Sequence, residues 1–429
     1  MGRQPFGLAS PAAWLRAEGH DVTLADLSCS PMPRLAAESA DLIAFFLPMH
    51  TATRLFLRLV GRVRAVNPSA HLAAYGLYAP LNERVLRGAG VHTILGGEFE
   101  TGLRDVARDL SARPPAISTD RQQFLVPDRR GLPPLGAYAQ LVVLDGTRRV
   151  GYTEASRGCK HLCRHCPVVP VYRGLFRIVQ PEIVLEDIRR QVAAGAEHIT
   201  FGDPDFFNGP GHAAAIIEAL HREWPWLSYD VTIKVEHLLK SRALLPTLRE
   251  TGCAFVTTAV ESFDDEILTL LAKHHTYADF LEALALAREA GLPLAPTFIP
   301  FTPWTTHESY RQFLRRLAEL DLAAQIAPIQ LAIRLLIPEG SLLLEIPEIR
   351  ARIGLFDANA LTYPWRNPDP SVDALCTGIQ QLIKREEKRR TPRGEIFRQI
   401  WDLAGAGDFP DTPLADRATI PYLTEPWYC

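Results

Sequence analysis

The sequence predicts an α/β protein built from two parallel-sheet units, and three observations carry that prediction. Short apolar segments alternate with stretches of helical spacing, twice along the chain. A segment rich in proline and arginine separates the two runs. At 429 residues and 47% hydrophobic content, the chain has material for more than one packed core.

The first unit covers residues 1–110. Its strands are expected at 20–27, 41–47, 72–77 and 91–95, and helical spacing marks 11–18, 51–66, 81–88 and 98–110. Gly19 and Gly90 stand where a left-handed residue ends a helix. This order describes a flavodoxin-like, doubly wound Rossmannoid sheet. The opening stretch from Met1 to Gly7 reads as the loop after a first strand, so the start is expected to be internal or the sheet to have lost a strand. Residues 111–146 read as a linker. Residues 147–345 repeat the alternation, with strands at 150–154, 198–201, 229–235, 255–261, 294–298 and 331–336, a partial (β/α)6 barrel of TIM type. Residues 346–429 form an extension, with one long helix at 370–390 and an irregular tail ending on Cys429.

Composition narrows the function. A net charge of −3 leaves no basic footprint for nucleic acid. The longest apolar run, 42–49, is too short to span a bilayer, and the N-terminus lacks a charged-then-apolar signal pattern. A cytoplasmic protein with no membrane partner is expected. Cys29, Cys253, Cys376 and Cys429 are scattered, unlike a secreted disulfide framework.

The other three cysteines, Cys159, Cys163 and Cys166, follow the first barrel strand in the pattern Cys-x3-Cys-x2-Cys. Parallel barrels place their working residues on loops at the C-terminal ends of strands. Thiolates are soft ligands that suit iron–sulfur clusters, zinc and copper, and three on one loop can hold three corners of a cubane while the fourth iron stays open. Zinc is the alternative. Structural zinc takes four ligands, commonly as two pairs, and this chain has no second pair, so His161 or His165 would have to complete the set. A non-catalytic zinc or redox-sensing protein therefore remains a reading of another class.

The cysteine pattern resembles the signature of the radical S-adenosylmethionine (SAM) superfamily, with His165 at the place of a common aromatic residue. The resemblance implies an enzyme with a 4Fe-4S cluster on Cys159, Cys163 and Cys166, SAM bound at the open iron, and His165 near the adenine. It also implies a small-molecule substrate and a one-electron donor such as flavodoxin or ferredoxin. Gly202 and Asp203 fall where the superfamily holds the methionine amino group, and Glu261 and Ser262 where it binds ribose or the amino-acid part. Each has a plainer reading as a turn or a helix cap. Phe301 and Trp304 stand beside the expected adenine pocket, or in the core. Lys234 and Arg334 are single charges in apolar strands that need a partner, either a ligand carboxylate or Asp203, Asp205 or Glu261. They and Cys429 are the catalytic candidates.

The first unit resembles the cobalamin-binding domain found ahead of many radical SAM domains. The Asp-x-His-x-x-Gly string of such binders is absent, so the chain is expected not to bind cobalamin. The cysteine-ended tail resembles the CUAEP/CCAEP-tail subgroup, which implies a possible selenoprotein whose native product extends past Cys429. That subgroup suggests transfer of the 3-amino-3-carboxypropyl group of SAM to trivalent arsenic. A cobalamin-dependent radical SAM methyltransferase is the alternative enzyme.

Overall fold

The computed structural model describes residues 2–410 and 418–424. Its first unit runs α1 (Phe6–Ala17), α2 (Arg34–Ser39), β1 (Leu42–Phe46), α3 (His50–Val66), β2 (His71–Tyr75), α4 (Tyr78–Leu81), α5 (Glu83–Gly88), β3 (Thr93–Gly97), α6 (Glu100–Arg108) and β4 (Ile117–Ser118). All four strands pair in parallel in the order β1-β2-β3-β4. Phe56, Val60 and Val63 recur at helical spacing on α3 and pack with Leu72, Ala74 and Ile94 of the sheet.

The strand expected at 20–27 does not form. The segment forms no regular element, and a cleft of about 720 Å³ lies between it, α1 and β1. A strand needs a neighbour for its backbone groups; here Val22 O accepts instead from the Arg16 guanidinium, at 2.8 Å.

The second unit is a curled seven-stranded sheet in the order β12-β11-β10-β9-β6-β5-β13. Its elements are β5 (Gln140–Val143), β6 (Gly146–Thr153), β7 (Ser156–Gly158), α7 (Val169–Tyr172), β8 (Phe176–Ile178), α8 (Pro181–Ala193), β9 (His198–Phe201), α9 (Pro210–Glu223) and β10 (Ser228–Thr232). Then come α10 (Val235–Lys240), α11 (Leu245–Glu250), β11 (Cys253–Glu261), α12 (Asp265–Leu270), α13 (Tyr277–Glu289), β12 (Leu294–Phe298) and α14 (His307–Glu319). β6, β9, β10, β11 and β12 are parallel, and their C-terminal ends face one way. The sixth strand, expected at 331–336, is reduced to one bridge between Phe301 and Arg334. A 3-10 turn over Pro328–Leu331 leads into it and Pro338 follows, so little chain is left to lie extended.

The extension holds α15 (Pro347–Arg350), α16 (Pro370–Arg389), α17 (Arg393–Ala404) and β13 (Tyr422–Leu423). The Asp369 side chain caps α16 by accepting from Ser371 N–H, with Pro370 in the first turn. Ile379 and Ile383 of α16 and Phe397, Ile400 and Trp401 of α17 join the barrel core, so the extension completes the barrel instead of hanging from it. The linker is likewise held. Phe124 N–H donates to Gln180 Oε1 at 3.0 Å, Arg129 pairs with Asp187, and β5 is a sheet member. Among the described residues no helix is long and apolar enough to cross a membrane.

One arginine joins the two units. Arg157 is 7% exposed and makes two bonds to Glu100 (2.7 and 2.9 Å) and one to Glu154 (2.7 Å). Its guanidinium lies among the rings of Phe6, Phe99 and Phe124, at 4.8–5.4 Å from their centroids. Glu98 beside it accepts from Tyr172 Oη at 3.0 Å, and burial pushes its carboxyl up to about 7.

Candidate active site at the cysteine loop

The cysteine loop leaves the end of β6 and is closed at its base by the antiparallel pair β7 and β8. Gly158 makes the turn at φ 75°, where an added Cβ would stand 2.4 Å from Tyr172 and 2.5 Å from Leu175 O. Beyond it the backbone is tied down at intervals. Cys159 N–H donates to Leu175 O (3.0 Å), Lys160 N–H to Asn208 Oδ1 (3.1 Å) and Arg164 N–H to Leu271 O (2.9 Å), and Ser341 Oγ donates to Arg164 O (2.9 Å). Four separate segments therefore set where the three thiols stand.

All three thiols are free, Cys163 fully buried and Cys159 and Cys166 half-buried. Burial pushes Cys159 up to about 11 and Cys166 up to about 12, so they carry protons until a metal replaces them. The donor set fits a 4Fe-4S cluster: three soft sulfurs on one rigid loop, walled by Leu77 and Tyr78 of the first unit.

The structure brings several of the predicted residues to this loop. His165 Nε2 lies 3.2 Å from Glu261 Oε1, and Lys273 Nζ lies 3.2 Å from the same oxygen. Burial alone would raise Glu261, yet Lys273 and His165 outweigh it and hold the carboxyl at about 2. Glu261 adopts φ 71° at the β11 bulge, a strained conformation for a side-chain-bearing residue. Lys234 Nζ stands 3.8 Å from Cys163 Sγ and donates to Lys273 O at 3.0 Å. Its carboxylate partner is Glu236 at 3.6 Å, not Asp203, Asp205 or Glu261.

Asp203 turns to the base of the loop, accepting from Ala155 N–H (2.9 Å) and Ser156 Oγ (2.6 Å) while burial pushes it up to about 7. Gly202 faces Tyr152, whose hydroxyl lies 1.8 Å from where a Cβ would be. Ser262 Oγ accepts from Asp264 N–H at 3.0 Å, a local turn.

Three candidates lie elsewhere. Phe301 is buried and stacked on Tyr310 at 4.7 Å, and Trp304 packs in a separate core cluster. Arg334 donates to Asp373 (2.6 Å) and Trp365 O (2.7 Å) and covers the Trp365 ring, so its charge is met inside the extension. Cys429 lies outside the described residues.

Two residues that sequence reasoning passed over, Glu236 and His237, gather beside Cys159 with His161 and Asp205, which it named only as a zinc ligand and an ion-pair partner. Burial pushes His161 down to about 4, with the nearby Lys234 adding to it. The barrel rule that nominated Gly202 and Asp203 applies equally to the Asp205, Glu236 and His237 positions after β9 and β10.

Comparison with known proteins agrees with this geometry. The radical SAM superfamily model matches residues 153–317, which span the cysteine loop and the parallel strands. Residues 153–317 thus carry a radical SAM domain, the catalytic unit of an enzyme superfamily. A hopanoid C-3 methylase of Methylococcus capsulatus is 25% identical over 342 residues, covering 74% of this chain and 65% of that one. A tRNA-2-methylthio-N(6)-dimethylallyladenosine synthase of Desulfosudis oleivorans is 28% identical over 184 residues, 40% of this chain and 38% of that one. Among solved structures, the cobalamin-dependent radical enzyme OxsB, with aqua-cobalamin and SAM bound, matches with a TM-score of 0.71. That match has 15% identity and covers 90% of this chain and 65% of OxsB. The methyltransferase TsrM of Kitasatospora setae matches with a TM-score of 0.65 and 18% identity over 82% of this chain and 76% of TsrM. These two share the fold, an N-terminal sheet unit ahead of a radical SAM barrel.

Between the strand ends of the first unit and the cysteine loop, Tyr78 and Leu81 pack against Val168, Val171 and Tyr172, and beside them lies a cleft of about 720 Å³ lined by Pro80, Leu81, Ile117, Leu162, Val169 and Gly340.

Proposed function

We propose that this protein cleaves SAM reductively and transfers a carbon group from it to a small-molecule acceptor. The observation that carries the reading is the trio Cys159, Cys163 and Cys166 on one pinned loop at the barrel mouth, three ligands and no fourth cysteine among the described residues beside them. When bound there, a 4Fe-4S cluster supplies the electron that breaks a carbon–sulfur bond of the sulfonium and an open iron for its amino and carboxylate groups. The chain's residues do the rest. Lys234 sets a positive charge beside the Cys163 sulfur. Glu261, kept ionised by Lys273 and His165, offers hydrogen-bond acceptors to a ribose or an ammonium group. Asp203 holds the loop base rigid through Ala155 and Ser156. An electron donor is required, and the chain carries no further cysteine cluster among its described residues to serve as one.

The methyl group is the carbon unit that the relatives favour, since the hopanoid methylase and TsrM are both named for its transfer. Cobalamin-assisted methyl transfer is the second reading, supported by the fold shared with OxsB and TsrM and by the cleft of about 720 Å³ between the first unit and the cysteine loop. Aminocarboxypropyl transfer to trivalent arsenic draws no support from these relatives.

Anaerobic purification tests the proposal. The expected protein is brown, with about four irons per chain, and each of Cys159→Ala, Cys163→Ala and Cys166→Ala loses the colour and SAM turnover together. Retention of both in any of the three overturns it. Bound corrinoid selects the second reading. Methylthioadenosine as the product from SAM reports transfer of the aminocarboxypropyl arm.

A further inference from the structure

Beside the cysteine loop, on the side of β9 and β10, four chemically competent side chains meet without hydrogen bonding to one another. Asp205 Oδ2 lies 2.7 Å from His237 Nδ1 and 3.7 Å from His161 Nε2, and the two imidazole rings are 4.7 Å apart. Although they are close, none of these three atoms has a hydrogen-bond partner among the described residues. Asp205 is fully buried and the two histidine side chains are 11% exposed, so water does not readily replace the missing partners. A buried carboxylate oxygen and two ring nitrogens left unsatisfied cost free energy that an ordinary ion pair would relieve by turning the imidazole into line.

The spacing has a simple cause. Nitrogen and oxygen ligands that share one ion at about 2.1 Å stand roughly 3.0–3.4 Å from one another, and the two separations from Asp205 Oδ2, 2.7 and 3.7 Å, fall on either side of that range. The remaining contacts fit the same cause. Asp205 Oδ1 accepts from Phe207 N–H at 3.2 Å, which fixes the carboxylate and aims Oδ2 inward. Glu236 Oε2, also without a hydrogen-bond partner, lies 3.3 Å from His161 Nδ1, close enough to take that N–H once an ion turns the ring.

We propose that His161, Asp205 and His237 form a second metal site, a two-histidine, one-carboxylate triad for a divalent first-row transition ion, with Glu236 orienting His161. Such triads leave coordination positions open. Cys159, Asp205 and His161 offer ligand atoms within 4.8 Å of one another, so the ion sits next to the cluster ligands and faces the same mouth. Cys159 stays with the cluster.

The test uses the anaerobically reconstituted holoprotein, dialysed against chelator until its metal is cluster iron alone, and titrated with cobalt(II). One additional cobalt per chain is expected, with visible ligand-field bands. In Asp205→Asn and in His237→Gln its affinity falls about 100-fold, and in Glu236→Gln about 10-fold, while iron content and cluster absorption stay unchanged. If the wild type binds no cobalt beyond its iron, or if Asp205→Asn and His237→Gln both bind it as the wild type does, the site does not exist. His237→Gln keeps the test open if Asp205→Asn does not fold. Failure of the cluster reading shows as missing iron, independently of cobalt uptake.

Discussion

Glu261 shows how much one residue can be asked to do. It bends the end of β11 at a positive φ, and its carboxylate neutralises the buried Lys273 while touching His165. With its folded pKa near 2, below the unfolded value of 4.5, the stability it contributes is present above pH 4.5 and is lost as pH falls toward 2. Glu261→Gln leaves the Lys273 ammonium buried without its counter-charge, so a loss of about 3 kcal/mol or more is expected in urea unfolding at pH 7. The variant also loses its acid-induced destabilisation over that window. The sequence singled out Glu261 because it ends a strand, but Lys273 was invisible. Nothing in a local pattern says that a lysine twelve residues later folds back into the same pocket.

The cysteine loop behaves as an element in its own right, because its ends are clasped by β7 and β8 and its middle is bonded to the 208, 271 and 341 regions. Gly158 is the point where that clasp has no room. Gly158→Ala forces a Cβ against Tyr172 and Leu175 O at positive φ, and a destabilisation above about 1 kcal/mol is expected. Iron bound per chain after reconstitution should fall with it, while far-ultraviolet circular dichroism stays near that of the wild type. The lost sixth strand has the same kind of explanation. Apolar residues at 331–336 read as a strand, but Pro328 and Pro338 flank them and Arg334 turns to Asp373 of α16. Helix α16 was legible almost to the residue, because its signals, Asp369, Pro370 and an apolar stripe, are all local.

At the scale of the molecule, Arg157 couples the two units through Glu98, Glu100 and Glu154. Arg157→Met leaves that acidic group uncompensated, and about 3–5 kcal/mol of stability should be lost in urea unfolding at pH 7. Glu98→Gln in the same background recovers part of it. Glu98 alone predicts a pH dependence. Its folded pKa, near 7, exceeds the unfolded 4.5, so the folded state holds a proton that the unfolded chain has released. Stability therefore declines as pH rises from 4.5 to 7, by at most about 1.4 kcal/mol per pH unit. Unfolding free energies at pH 5, 6 and 7 should fall more steeply in the wild type than in Glu98→Gln, with Asp203 adding a slope of the same sign to both; equal slopes refute the assignment.

By itself the sequence determined the α/β class, the order of the two units and the cluster of three cysteines on one loop, because periodicity, breakers and cysteine spacing are written over a few neighbouring residues. Tertiary structure alone decided which charges meet. Lys234 found Glu236, Arg334 found Asp373, Arg157 found Glu100, and His161, Asp205 and His237 converged from two loops and helix α10. The reason is that a buried charge or imidazole selects its partner by distance in the folded barrel, and the β/α crossovers bring together strand ends that lie dozens of residues apart in the chain.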